Sequence, residues 1–501
     1  MSIKRNILAG YAGQLYATLI GILLVPLYVE YMGVEAYGLV GFFTMLQGWF
    51  MLLDMGLSPT IGREAARFNG GAIDVLGLRQ LLRAFEGIFL LVGMAGALAL
   101  IAGAGSITDH WLKVQQLELA EVQRAIMLMA VIVALRWICG LYRGAISGFE
   151  RIVWLSGFNV VISTLRFVLV IPVLVYVGAT PTHFFAYQLA VAALEAVVLI
   201  AKTYRLLPGV AVPGWIRWRW APLQGVMRFA LSAAFTSVVW VLVTQTDKLI
   251  LSGLIPLTDY AYFTLAVLLA SGIALLSGPI AGAILPRLTI LNAQGDEAGL
   301  IRLYRDATQL VAVIAVPVVL VLAFFPSQVL TAWTGKPALA QHAAPVLALY
   351  ALGNGILALA AFPYYLQIAR GELTLHVIGN VLFVLLFVPL LLFAVYRFGM
   401  IGAGYAWIIA NLLPFVAWLP VVHRRHLKGL HLGWLTKDVG AIVLPPAVLA
   451  ALAMYFVEWP LARLWLIAGL VGVYAALAAV AAGSSSTVRN WLRSKSQPGF
   501  A

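Results

Sequence analysis

Two arginines lie inside long apolar stretches of the sequence, where a charge is costly and therefore informative. Arg136 follows the apolar run 127–135, and Arg166 lies within the run 160–170. Charged side chains in segments apolar enough to span a membrane usually face a cavity. There, two guanidinium groups can bind phosphate oxygens through paired hydrogen bonds. This pattern predicts an anion site. Pairing with a structural acid such as Glu195, or extension to a membrane surface, is the alternative.

Three acidic residues also interrupt apolar segments. Asp54, Glu195 and Asp247 each stand among mostly hydrophobic neighbours. A partly desolvated carboxylate can carry a proton or ligate Na⁺. We therefore predict these three as candidates for coupling to an H⁺ or Na⁺ gradient, with salt bridging or helix capping as the alternative.

The composition identifies the elements that must position these residues. Of 501 residues, 63% are hydrophobic and 10% are charged, against roughly 25% charged in a soluble domain. The apolar runs are long enough to cross a membrane as helices and are apolar on every side, which excludes a barrel. We predict an all-α polytopic membrane protein with about fourteen transmembrane helices. The predicted spans are 7–31, 37–61, 81–104, 122–144, 152–178, 183–204, 226–252, 260–285, 307–330, 345–368, 373–396, 400–422, 438–457 and 461–482.

The positive charge is distributed unevenly between the predicted loops. The net charge is +13, which in a soluble chain would suggest a nucleic-acid partner. With a cytoplasmic N-terminus, 24 of the 32 Lys and Arg residues fall in cytoplasmic segments and 6 in outer ones. This bias follows the positive-inside rule. It predicts that both termini are cytoplasmic, and it accounts for the charge without nucleic acid.

A weak internal repeat indicates two halves. A shift of about 222 residues aligns Gly77 with Gly299 and Arg83 with Arg305. Six helices is an even number, so the halves would be parallel repeats with a site between them. The predicted parts are an N-terminal six-helix bundle (1–204), a basic and aromatic cytoplasmic linker (205–225), a C-terminal six-helix bundle (226–422), a basic linker (423–437), two extra helices (438–482) and a cytoplasmic tail (483–501).

Both basic linkers favour contact with anionic membrane lipids. The segment 214–220 alternates tryptophan with arginine, and His423, His426 and His431 lie among Arg424, Arg425 and Lys428. Neighbouring cations oppose a metal, so solvated contact with lipid headgroups is the favoured interpretation. The sequence contains no nucleotide-binding P-loop and no loop longer than about 25 residues. We therefore predict no catalytic residues, no metal and no bound cofactor.

The N-terminal motifs carry a family resemblance. They are Gln14, Pro26-Leu27-Tyr28, Gly33, Tyr37-Gly38-Leu39, Asp54-Met55-Gly56-Leu57 and Arg63. Over about the first 70 residues this pattern resembles the polysaccharide export proteins, which are lipid-linked oligosaccharide or O-antigen-type flippases. These belong to the multidrug, oligosaccharidyl-lipid and polysaccharide exporter superfamily.

The resemblance implies alternating access between two bundles, driven by H⁺ or Na⁺. The implied cargo is an undecaprenyl-pyrophosphate-linked oligosaccharide, moved from the inner to the outer leaflet of the bacterial cytoplasmic membrane. A glycan polymerase or ligase is a possible partner. From the positions of the charges in this sequence, we predict that Arg136 and Arg166 hold the anionic head, with Arg63, Arg143 and Arg287 at the cytoplasmic mouth.

Two other functions stay open. A multidrug exporter of the same superfamily would use acidic and aromatic groups for cationic drugs, so the two arginines disfavour it. A membrane glycosyltransferase or polymerase is the other, and the sequence offers no catalytic motif for it.

Overall fold

A computed structural model describes residues 3–207, 221–460 and 462–496. Within these ranges every regular element is helical, apart from an isolated bridge between Lys113 and Pro256. The chain divides into two compact units, Met1–Ala261 and Tyr262–Ala501. The predicted boundaries of the six-helix bundles and of the two extra helices stay predictions. Of the predicted linker 205–225, residues 208–220 lie outside the described residues.

Ten α-helices of the described residues lie entirely within the first unit. They are α1 Ile3–Leu23, α2 Val25–Met32, α3 Val34–Phe50, α4 Leu57–Asn69, α5 Val75–Ser106, α6 Leu119–Gly148, α7 Ile152–Phe167, α8 Val170–Tyr176, α9 Pro181–Leu206 and α10 Ala221–Leu254. The unit boundary falls inside the next helix. The remaining helices are α11 Leu257–Ala293, α12 Glu297–Phe324, α13 Pro326–Thr334, α14 Pro337–Arg370, α15 Thr374–Ala417, α16 Leu419–His426, α17 Leu430–Gly433, α18 Ala441–Phe456, α19 Arg463–Ser484 and α20 Ser486–Ser496.

The structure confirms an all-α polytopic membrane protein. Twelve segments of the described residues are long and apolar enough to span a membrane. One of them, Thr374–His426, contains the two predicted spans 373–396 and 400–422, separated at Gly399, whose φ is 57°. The predicted span 226–252 lies in α10 and is not one of the twelve. The predicted count of about fourteen is therefore approximate. Two predicted spans correspond to one long segment with a break, and one predicted span is not among the twelve segments.

The second predicted span ends earlier than the sequence indicated. The prediction was 37–61, but the span is Val34–Asp54. Met55 and Gly56 both have positive φ, 45° and 71°, and α4 begins at Leu57. Two consecutive residues in this backbone region cannot continue a right-handed helix. The chain therefore changes direction where apolar composition alone suggested continuity.

Helix α6 carries two of the arginines of the candidate site, Arg136 and Arg143. It packs against α3, α4, α5 and α9 within the first unit. A Cβ at Gly144 would lie 2.4 Å from the Ser58 carbonyl oxygen, and one at Gly148 would lie 2.1 Å from that of Gly62. Because glycine has no side chain, the α4 and α6 backbones can approach this closely. Close packing fixes the faces that α6 presents to its other neighbours.

Helices α1 and α2 both contact α7 in this unit. The Tyr16 hydroxyl lies 2.7 Å from Thr164 Oγ1, and the Tyr28 hydroxyl donates to the Phe167 carbonyl oxygen at 2.6 Å. Gly13 lies against Ser156, where a Cβ would lie 3.2 Å from the carbonyl oxygen. These contacts hold both ends of α7, including the end that carries Arg166.

Candidate functional site

A polar cavity of about 470 Å³ lies within the first unit. Arg136 and Arg143 reach it from α6, where a separation of seven residues places them on one face, two turns apart. Arg166 reaches it from α7 and Glu195 from α9. The polar lining is completed by Gln14, Gln47, Ser156, Asn159 and Ser163. Five helices, α1, α3, α6, α7 and α9, thus bring charged and polar groups to one cavity.

The Glu195 carboxylate bridges two of the three arginines. Arg143 donates to one carboxylate oxygen, and Arg166 donates to the other. The side chain of Glu195 is 2% exposed. This is the structural pairing that the sequence left as the alternative for Arg166, but the paired arginines still line the cavity. Pairing and cavity lining are therefore compatible here.

Arg136 is held by neutral groups. Its Nη1 donates to Gln47 Oε1 at 3.1 Å, and its Nη2 donates to Gln188 Oε1 at 2.7 Å. Its guanidinium carbon also lies 5.1 Å from the centre of the Phe43 ring. Among the described residues, Arg136 has no carboxylate within ion-pair distance. It is thus oriented without being neutralised.

Gln188 orients two of the arginine-bearing segments at once. Its Nε2 donates to the carbonyl oxygen of Arg166 at 2.8 Å, while its Oε1 accepts from Arg136. The first bond determines which end of the amide faces Arg136, because an amide has one donor end and one acceptor end. Gln188 therefore couples the Arg136 guanidinium to the backbone of α7.

The charge in the cavity does not balance. Three guanidinium groups and one carboxylate leave two positive charges in excess. The Nε atoms of Arg136 and Arg166 are buried and have no hydrogen-bond partner among the described residues. Buried charge that lacks a counter-ion is costly. An anion with several oxygen acceptors would both neutralise the excess positive charge and accept hydrogen bonds from the two Nε donors.

The neutral groups that orient the arginines were not among the predicted site residues. Gln47 and Gln188 are single amides in apolar helices, and Asn159 accepts a hydrogen bond from Arg143. Polar amides within membrane spans were a signal available in the sequence. Their partners were not, because Gln47 and Arg136 are 89 residues apart.

The other two predicted arginines lie elsewhere. Arg63 is on α4, with its side chain 48% exposed, 3.9 Å from the Glu64 carboxylate. Arg287 is an exposed residue of α11. Neither is among the residues that line the cavity. Of the five predicted substrate-binding residues, the structure brings together Arg136, Arg143 and Arg166; the binding role of all five stays a prediction.

The acidic candidates have three different environments. Glu195 lines the cavity. Asp54 accepts hydrogen bonds from the backbone N–H of Ser58 at 3.3 Å and from its hydroxyl at 2.5 Å, in the first turn of α4. Asp247 is 2% exposed and accepts from the Lys248 backbone N–H at 2.8 Å. Ion coupling by these three residues stays a prediction, and only Glu195 of the three lies beside the arginines.

The histidine segment differs from the prediction of solvated lipid contact. His423 is fully buried, and its ring nitrogens lie 2.8 Å from the Tyr304 hydroxyl and 2.8 Å from His431 Nδ1. His426 is also buried. The prediction was wrong for these two residues because α16 turns them inward while Arg424 and Arg425 stay exposed. Segment 214–220 lies outside the described residues.

Comparisons with known proteins agree with this architecture. The profile of the polysaccharide biosynthesis protein family matches residues 3–291. A candidate O-antigen transporter of Shigella flexneri is 20% identical over 424 residues, covering 84% of this chain and 98% of that protein.

Two solved structures share the fold. The lipid II flippase MurJ in an inward closed conformation has a TM-score of 0.76 at 14% identity, covering 98% of this chain and all of that one. An inward-facing MATE-family multidrug resistance transporter of the MOP superfamily has a TM-score of 0.63 at 14% identity, covering 82% and 94%. Because the family profile matches more than half of a chain with this membrane fold, the protein belongs to the polysaccharide biosynthesis protein family.

Proposed function

We propose that the protein moves a polyprenyl-pyrophosphate-linked oligosaccharide from the inner to the outer leaflet of the bacterial cytoplasmic membrane. The observation that carries this proposal is the cavity lined by Arg136, Arg143 and Arg166, with two positive charges in excess. The family membership and the similarity to a candidate O-antigen transporter support a lipid-linked glycan as cargo. The fold shared with a lipid flippase supports the mode of transport.

The cavity offers what an anionic headgroup needs. Guanidinium groups bind phosphate oxygens through charge-assisted hydrogen bonds, which are stronger than neutral ones. In our proposal the pyrophosphate occupies this polar volume while the polyprenyl tail stays in lipid. The head then avoids the high cost of placing a charge in hydrocarbon. The protein needs no covalent chemistry for this task, because the cargo leaves unchanged.

Net movement in one direction needs a driving force. We propose alternating access coupled to an H⁺ or Na⁺ gradient, with Asp54, Glu195 and Asp247 as candidate coupling groups. Both termini would face the cytoplasm, as the distribution of Lys and Arg predicts. A glycan polymerase or ligase that uses the translocated lipid is the expected functional partner, and anionic membrane lipids the expected contacts of the basic segments.

A multidrug exporter is the weaker alternative. The fold shared with a MATE-family transporter is compatible with it. However, a cationic drug would be repelled by three guanidinium groups opposed by a single carboxylate. The proteins that share the fold are transporters, so an enzymatic role as a glycosyltransferase or polymerase has no support from them.

The first experiment uses a clean deletion strain. Lipid-linked intermediates are extracted, and the accumulating glycan and its leaflet are determined. We expect an undecaprenyl-pyrophosphate glycan trapped on the cytoplasmic leaflet, which would also identify the cargo. Normal lipid intermediates combined with altered drug sensitivity would contradict the proposal and favour the exporter.

Complementation of that strain then tests the cavity. We expect the double variant Arg136→Gln, Arg166→Gln to lower glycan export by about tenfold or more at equal protein levels, because two charged donors are lost. The matched control is Arg124→Gln, since Arg124 is 56% exposed and pairs with Glu121 on the same helix. Normal export by the double variant would show that the cavity is not the cargo site.

A further inference from the structure

We propose that the Glu195 carboxylate is an internal competitor of the anionic cargo for the guanidinium groups of Arg143 and Arg166. This inference rests on the proposed function and concerns the same cavity. The carboxylate occupies donors that the phosphate oxygens of the headgroup would otherwise take. It thereby holds the affinity for the anion low enough for release.

The geometry of Glu195 resembles that of a bound anion. Its two oxygens accept from guanidinium groups on two different helices, Arg143 on α6 and Arg166 on α7. A phosphate group bridges arginines in the same way, with one oxygen for each donor. The carboxylate comes from a third helix, α9, so it is not part of either arginine-bearing segment.

The three arginines would therefore act differently. Arg136 is bound by the amide oxygens of Gln47 and Gln188, which carry no net charge. Its positive charge is available to an incoming anion without displacing a carboxylate. We infer that the anion first contacts Arg136 and then competes with Glu195 for the other two arginines.

The burial of Glu195 makes this competition unavoidable. Its side chain is 2% exposed, and a displaced carboxylate cannot move into bulk solvent without a rearrangement of α9. It stays close to the bound phosphate and repels it, since like charges in a low-dielectric site interact strongly. A neutral side chain of the same shape would remove this repulsion while keeping an oxygen acceptor for the arginines.

A binding measurement on the purified full-length protein tests the proposal. The probe is inorganic pyrophosphate, and isothermal titration gives its Kd. We expect Glu195→Gln to bind pyrophosphate about tenfold more tightly, or more, because one full negative charge beside the anion is gone. The same variant should export less glycan in cells, because release becomes slower. A merely structural ion pair predicts the opposite sign, a weaker affinity.

The matched control is Glu86→Gln in the same unit. Glu86 is also buried and accepts from the Tyr142 and Tyr204 hydroxyls, at 3.0 and 2.8 Å, but it does not line the cavity. We expect Glu86→Gln to bind pyrophosphate with the same Kd as the unmodified protein. If Glu195→Gln fails to fold, Glu195→Asp serves instead, because the shorter carboxylate reaches the two arginines less well; a smaller tightening is expected.

The outcomes separate the two proposals. In one outcome the unmodified protein binds pyrophosphate, and a folded Glu195 variant binds it with equal or weaker affinity. This result would overturn the competition and leave the anion site intact. Absence of pyrophosphate binding in both the unmodified protein and Glu195→Gln would overturn the anion site itself, and with it the proposed function.

Discussion

Each compact unit contains a buried carboxylate that pairs with arginine in a cluster that also contains a glutamine, but the two clusters differ in charge balance. In the first unit, Glu195 contacts Arg143 and Arg166, and Gln188 contacts the neighbouring Arg136. In the second unit, Asp438 accepts from Arg305 Nε at 2.6 Å and from its Nη2 at 3.1 Å, and from Gln309 Nε2 at 2.7 Å. Both carboxylates are nearly inaccessible, so burial does not distinguish them.

The difference lies in the balance of charge and in what surrounds it. Asp438 meets one arginine, whereas Glu195 shares its charge between two, with a third nearby. The oxygen of Gln309 accepts from the Ser485 hydroxyl at 2.8 Å and from the Thr487 N–H at 3.1 Å, so this amide is occupied at both ends. A balanced and saturated cluster holds helices together. An unbalanced cluster beside a cavity can hold a ligand.

The largest expected effect follows from disrupting the balanced cluster. Asp438→Ala leaves Arg305 and Gln309 without their shared acceptor. Losing one partner of a buried pair costs about 3–5 kcal/mol, and we expect about 3 kcal/mol because Arg305 is 36% exposed. Denaturant unfolding of the purified protein measures this. Under conditions in which the variant stays folded, its pyrophosphate binding should be unchanged. If Asp438→Ala instead lost binding without losing stability, the distinction between the two clusters would not hold.

The next effect should fall on binding instead of stability. Arg136→Gln removes the charge that no carboxylate neutralises. We expect a loss of about 2 kcal/mol in pyrophosphate binding, the range of one charged hydrogen bond, with unfolding free energy unchanged or higher. Titration calorimetry and denaturant unfolding of the same sample measure both quantities. If Arg136→Gln unfolds more easily yet binds pyrophosphate normally, Arg136 stabilises the fold and does not bind the anion.

A smaller effect tests the positioning of Arg136. Gln188→Leu keeps the approximate size of the side chain. It removes the amide oxygen that accepts from Arg136 and the amide N–H that donates to the Arg166 carbonyl oxygen. We expect pyrophosphate binding to weaken by about 1 kcal/mol, because Gln47 still holds the guanidinium. The double variant Arg136→Gln, Gln188→Leu should bind like Arg136→Gln alone. Additive losses would mean that Gln188 acts independently of Arg136.

Part of the fold and of the site could be predicted from consecutive residues. The apolar runs predicted the helices, and the weak repeat aligned Arg83 with Arg305. In the structure each of these two arginines has an ion pair with a buried carboxylate, but Arg83 pairs with Glu86 on its own helix and Arg305 with Asp438. The second pairing could not be predicted, because 133 residues separate its members.

Errors in the prediction have two origins. His423 and His426 stand among cations in the sequence, yet one face of α16 is buried and carries them inward. Met55 and Gly56 end a helix inside an apolar run through backbone conformations that composition does not encode. Burial of one helix face depends on neighbours that are remote in sequence.

The sequence by itself determined the membrane class, the approximate spans and the presence of arginines at membrane depth. These are properties of consecutive residues, because spanning a bilayer requires only a sufficient apolar length. The tertiary structure alone decided that Arg136, Arg143, Arg166 and Glu195 line one cavity, and that Arg136 is the arginine held by neutral groups. The physical reason is that the net charge of a site depends on which helices pack together, and a linear pattern does not contain that information.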